Sequence, residues 1–197
     1  MREGLAYAWS ITEIRATIVL VGVVGTLVYN FPTFLTLMAA NTFHGGAGLA
    51  GLLMGILGVG TVIGALFAAL RARPTSRLVV TVAALLGVVL VIAASMPSKF
   101  SFEIALVPVG AMAVLFGSSA SAHMQVWSVP QLRGRVMALY TLLTLGTTVA
   151  GGPFVGWVCQ RWSPRTGLDV AGIATFTAAL LCSVPITARL QIGRAHV

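Results

Sequence analysis

The sequence predicts an all-α membrane protein of six transmembrane helices, arranged as two three-helix repeats of inverted topology. Three observations carry this expectation. Of 197 residues, 58% are hydrophobic and only 8% are charged, whereas a soluble domain carries roughly a quarter charged residues. Twelve Lys/Arg and four Asp/Glu cannot dress the surface of a globular core of this size. The mean hydropathy is +0.99, and spans of about 20 apolar residues with short connections fit into the chain roughly six times. Finally, the apolar runs differ from one another in an order that repeats after the third.

The first run, residues 14–40, follows Thr12-Glu13, a helix-start pair, and contains Asn30 and Pro32. Residues 1–13 read as a short lead-in, without the apolar segment of a cleavable signal peptide. The second run, 48–70, carries Gly48, Gly51, Gly55, Gly58, Gly60 and Gly64. It ends at a basic loop with Arg71, Arg73, Pro74 and Arg77, because proline stops a helix and arginines resist insertion. The third run, 78–95, is almost featureless. After a turn at 96–101 the fourth run, 103–127, collects Ser118, Ser119, Ser121, His123 and Gln125 toward its end. Arg133 and Arg135 precede the fifth run, 136–158, which carries Gly146, Gly151, Gly152 and Gly156. The loop with Arg161 and Arg165 leads to the sixth, 169–188. The bundle as a whole is expected over 14–190. Residues 191–197 read as the translation of a sequencing-adapter oligonucleotide, and are expected to be non-native.

Polar, glycine-rich, bland, twice over, is what two inverted three-helix units produce; with 22 glycines, chance is the competing explanation. Glycines four apart, Gly51/Gly55, Gly60/Gly64 and Gly152/Gly156, put small residues on one face for helix packing. The bland third and sixth runs are expected at the lipid-facing periphery.

The net charge of +8 and pI near 11.1 do not imply nucleic acid. The arginines fall in small groups between apolar runs, not in a basic patch interleaved with polar and aromatic residues. They are a topology signal. Six spans put both termini on one side, where nine of the twelve basic residues lie, and leave Lys99, Arg161 and Arg165 on the other. The asymmetry predicts cytoplasmic termini, with or without Arg194.

The segment Val-Pro-Gln-Leu-Arg-Gly-Arg-Val-Met-Ala-Leu-Tyr at 129–140, followed by the glycine-spaced fifth helix, resembles the junction of the tenth and eleventh helices of major facilitator superfamily transporters. The likeness is to the enterobactin-exporter-like and drug-efflux branch. Asn30-Phe31-Pro32 and Gly51-Leu52-Leu53-Met54-Gly55 look like that branch's seventh and eighth helices. The resemblance covers residues 1–190 and matches the C-terminal six-helix half of a twelve-helix protein. It implies half of a major facilitator fold, in a bacterial inner membrane. It further implies alternating-access efflux of a small amphipathic drug or siderophore, and an N-terminal six-helix half as missing partner. The chain is then expected to be a fragment, inactive alone. One feature departs from the family: its loop signature of Gly, Asp and a basic cluster survives here as Gly64, Arg71, Arg73 and Arg77 without the acid, so a gate-locking ion pair would be built differently.

Candidate substrate-path residues are Tyr29, Asn30, Phe31 and Pro32, with Ser118 and Ser119. Pro32 frees a backbone carbonyl at membrane depth, tolerated where it is buried in protein or lines a cavity; a packing kink is the alternative. Arg71, Arg73, Arg77, Arg133 and Arg135 are candidate gate residues, or else topology determinants touching lipid phosphates. Ser119 and His123, four apart, share a helix face, but no oxyanion hole accompanies them and no enzyme is expected. The four carboxylates fall at or outside run ends, so no buried coupling acid is expected in this half. His123 reads as interfacial. Cys159 and Cys182 should differ in depth and stay free thiols. No metal-ligand spacing is present and no cofactor is implied. A standalone six-helix protein, acting as a homodimeric channel or an interaction partner, is the second reading.

Overall fold

A computed structural model of the chain describes residues 12–70 and 75–194, with side chains over 14–70 and 75–183. Residues 1–11 of the lead-in, Arg71 and Arg73 of the basic loop, and 195–197 of the tail lie outside the described residues. The elements are α1 (Thr12–Leu27), α2 (Phe31–Leu37) continued by a π turn (Met38–Thr42), α3 (Ala47–Ala69), α4 (Ser76–Ser95), α5 (Lys99–Trp127), α6 (Arg133–Arg161) and α7 (Pro164–Arg194). With α1, α2 and the π turn taken as span 1, six helices are long and apolar enough to cross a membrane, the others being α3 to α7 as spans 2 to 6. No strand occurs among the described residues.

Three helices begin before their hydropathy does, because capping side chains and not apolar residues set the start. Thr75 Oγ1 accepts from Leu78 N at 3.3 Å at the head of α4. Ser98 and Ser101 form a reciprocal capping box at α5. Ser163 Oγ accepts from Thr166 N at 3.0 Å at α7, whose first residue is Pro164. Each cap satisfies a backbone donor that lipid or interface would otherwise leave unpaired.

Span 1 is broken where the sequence places Asn30 and Pro32. Pro32 sits in the first turn of α2, where its missing N–H costs nothing, and Asn30 stands at the N-cap position. Just before the break, Tyr29 N reaches back to Val24 O at 3.1 Å. The far end of span 1 closes on the π turn, with Phe43 N on Met38 O and Gly45 N on Ala39 O, and the reversal puts His44 at φ 50°. A non-glycine residue pays a steric penalty in that conformation. His44→Gly is therefore expected to raise stability by about 0.5–1 kcal/mol, read as a higher melting temperature in detergent; an unchanged or lower value would show the loop to be unstrained.

The packing of the spans is two-fold symmetric. Span 3 packs most extensively on span 6; span 2 packs on span 4 as span 5 does on span 1, and span 3 on span 4 as span 6 does on span 1. Exchanging spans 1–3 with 4–6 maps this set onto itself, which is the inverted repeat in physical form. Spans 3 and 6 are not peripheral within the chain. They cross at Gly87 and Gly172, where a Cβ on either would stand 2.7–2.8 Å from the other's carbonyl oxygen. Half of the apolar window of span 3 is buried, against 22% in each of spans 2 and 5. Each of the two buries one face in this crossing and leaves the other exposed, with Leu85 and Ile92 on span 3 and Ile173 and Leu181 on span 6.

The other crossings also rest on glycine. A Cβ on Gly60 would strike the carbonyl of Val107, one on Gly64 that of Ala111, and one on Gly110 that of Leu57, all between spans 2 and 4. In the related pair, a Cβ on Gly151 of span 5 would strike Thr26 O of span 1. Backbone-to-backbone approach of this kind is how helices gain contact in lipid, where apolar burial gives no advantage.

Candidate functional site

The break in span 1 and the close approach of span 5 bring the polar residues of the membrane interior to one seam between spans 1, 4 and 5. Asn30 is buried, 6% exposed, and its Nδ2 donates to Thr26 O at 2.9 Å. That bond replaces the one its own backbone N–H would make in a continuous helix, so the side chain splints the break. Its Oδ1 faces Gly152, 3.3 Å from where a Cβ would stand, and Thr33 lies 3.9 Å from the corresponding point on Gly156. Gly152 and Gly156 thus sit beside the span 1 break, while the tight backbone contact is made by Gly151.

Tyr29 leaves the same break in the other direction. Its hydroxyl donates to Ala113 O of span 4 at 3.2 Å, and Tyr140 of span 5 donates to Gly117 O, one turn further along span 4, at 3.1 Å. Gly117 makes room for Tyr29: a Cβ there would stand 2.9 Å from Tyr29 Oη. Phe31 is half-buried and Pro32 exposed. Ser118 and Ser119 part company, the first exposed and the second buried at 8%. Tyr140 and Gly117 are the residues sequence reasoning missed. Tyr140 closes the recognisable 129–140 segment and is one of only three tyrosines, which was the available signal.

His123 is buried among helix ends. It is 0% exposed, with Nδ1 3.2 Å from Thr17 Oγ1 of span 1 and Nε2 2.8 Å from Ser76 Oγ at the head of span 3. Trp127 packs on its ring at 5.8 Å, and Ile14, Ile18, Met124 and Val136 bury one another alongside. With a hydroxyl at each ring nitrogen, the imidazole is not poised as a base for Ser119, which removes the basis of a serine-hydrolase reading. Its position instead joins three helix ends beside the basic loops. Arg77, Arg133 and Arg135 are all exposed at this end of the bundle. Each lies in the first turn of a helix, where the dipole disfavours a cation, so helix stability does not explain them.

At the opposite end Arg165 donates to Ala94 O and Pro97 O, both at 3.4 Å, and so caps the end of span 3. Glu103 is partly buried: its Oε1 takes no hydrogen bond, with Lys99 Nζ 3.8 Å away. It lies near the start of span 4 and not at mid-depth. Cys159 and Cys182 are both buried and free. Among the described residues no three His, Cys, Asp or Glu side chains group as metal ligands.

The Gly51/Gly55 pair, unlike Gly60/Gly64, meets nothing: no atom lies within 4 Å of a Cβ built on Gly48, Gly51 or Gly55, nor on Gly146 of span 5. Spans 2 and 5 expose Leu52, Val59, Val62 and Leu66, and Leu142, Leu145 and Val149, on these outward faces.

A family model described as transmembrane secretion effector, of the major facilitator type, matches residues 1–194. Neither the curated proteins nor the solved structures yield a match.

Proposed function

The chain belongs to the transmembrane secretion effector family of major facilitator transporters, and from that premise we propose that it is the C-terminal six-helix half of an efflux carrier. The carrier exports a small amphipathic molecule, of drug or siderophore type, across a bacterial inner membrane by rocking two six-helix bundles about a midplane site. The observation that carries the reading is the pair of outward faces on spans 2 and 5. A helix facing lipid has no use for Gly48, Gly51, Gly55 and Gly146, whereas a helix awaiting a close neighbour does. The polar seam then forms one wall of a cavity whose other wall is the N-terminal half, and Arg77, Arg133 and Arg135 mark the cytoplasmic side with the termini.

Vesicles containing this chain alone are expected to show no substrate-dependent flux, and flux is expected to return when six further apolar spans encoded upstream are co-reconstituted. Flux from the chain alone would overturn the half-carrier reading. The same outward glycines would also serve a second copy in a homodimeric channel. Cysteines placed at Gly51 and Gly55 separate the two readings: cross-linking between copies in native membranes favours the channel.

A further inference from the structure

The buried His123 ties helix ends together beneath a half-exposed indole, and we infer that this end of the bundle holds the phosphate of an anionic phospholipid, with Arg15, Arg77 and Arg133 as donors. The inference needs neither the substrate nor the other half of the carrier. Its parts come from three separate stretches of chain. Ser76, 2.8 Å from His123 Nε2, is followed by Arg77 at the head of span 3. Ile14 and Ile18 of span 1 and Val136 of span 5 close on Met124, the residue after His123. Arg15 follows Ile14, and Arg133 lies one turn before Val136. All three arginines are exposed, and Trp127 packs on the imidazole that joins the heads of spans 1 and 3.

No carboxylate among the described side chains balances this charge. The two that are described, Glu103 and Asp169, lie at the opposite end with Lys99 and Arg165. The first turns of α4 and α6 add the positive ends of two helix dipoles beside Arg77 and Arg133. Three guanidinium groups are thus gathered at one end against their mutual repulsion, and an anion lowers the energy of the set. A phosphodiester suits them, because a guanidinium donates two parallel N–H bonds to phosphate oxygens. The neighbouring surface favours a phosphate that carries acyl chains. Val126, Trp127 and Val129 are exposed between the end of span 4 and the head of span 5, an apolar ledge that a soluble phosphate would leave in water. An indole, moreover, is a side chain favoured at headgroup depth.

Native mass spectrometry of the purified chain in detergent tests this with three probes: dimyristoyl phosphatidylglycerol, the phosphatidylcholine with the same chains, and glycerol phosphate as the soluble anion. Phosphatidylglycerol is expected to bind saturably and about tenfold tighter than phosphatidylcholine, and glycerol phosphate not to displace it. Arg77→Gln and Arg133→Gln are each expected to weaken phosphatidylglycerol about fivefold, the contribution of one basic residue at an anionic lipid surface. Arg161→Gln, at an exposed arginine of the other end, should leave it unchanged. Ser76→Ala keeps every charge, and keeps Thr75 as the cap of α4. By releasing the head of span 3 from His123 it is expected to weaken binding about threefold, which loose charges would not show. Equal binding of phosphatidylcholine, displacement by glycerol phosphate, or no binding of phosphatidylglycerol would overturn the inference. So would full binding in Arg77→Gln, Arg133→Gln or Ser76→Ala, or an equal loss in Arg161→Gln. None of these results bears on flux in reconstituted vesicles, so the lipid site and the half-carrier reading fail separately.

Discussion

Gly64→Ala is expected to destabilise the chain by about 1–3 kcal/mol, while Gly55→Ala on the same helix stabilises it by up to about 1 kcal/mol. Both substitutions add one methyl group and both improve helix propensity. They differ in what the methyl meets. At Gly64 it strikes the Ala111 carbonyl, a backbone atom that cannot rotate aside, so spans 2 and 4 must separate. At Gly55 it meets nothing within 4 Å. Gly60→Ala and, across the two-fold, Gly151→Ala should behave as Gly64→Ala does, since Val107 O and Thr26 O stand in the way. Thermal unfolding in detergent measures the signs directly. Equal shifts at positions 55 and 64 would mean that the glycine crossing does not hold the bundle together. In the assembled carrier proposed above, Gly55→Ala should turn harmful, because the face it sits on would then be covered.

His123→Ala is expected to cost about 2–4 kcal/mol. The substitution leaves a hole under Trp127 and withdraws the ring nitrogens from the buried Thr17 hydroxyl and from Ser76. Three helix ends lose their common partner at once, so the effect should exceed that of trimming either hydroxyl, as in Ser76→Ala. His123→Gln, which keeps a donor and an acceptor, should recover part of the loss. The readout is the melting temperature in detergent. If His123→Ala melts as the parent does, the histidine is a passenger and this end of the bundle is held by the Ile14, Ile18, Met124 and Val136 contacts of spans 1, 4 and 5.

What could be read from the chain, and what could not, divides along physical lines. Span number, the repeat order and the break at Asn30-Pro32 follow from local chemistry: apolar length against bilayer thickness, and a proline that cannot donate. The caps at Thr75, Ser98 and Ser163 were legible in principle, but hydropathy is blind to them, so span starts came out late. Glycine spacing reads as a packing signal, yet Gly51/Gly55 and Gly60/Gly64 have identical spacing and opposite surroundings. Nothing local distinguishes them. Likewise the place of His123 near a helix end does not reveal that it is fully buried, because Thr17 and Ser76 arrive from 106 and 47 residues away.

By itself the sequence determined a six-span membrane protein with an internal repeat and a charge bias between its two ends, because lipid imposes length, composition and charge placement residue by residue. Only the tertiary structure decided which glycines meet a backbone, which span pairs cross on the two-fold, and where the hydroxyl protons of the seam go. Those are properties of partners distant in the chain, and a hydrogen bond or a steric contact has a sign only once the partner is in place.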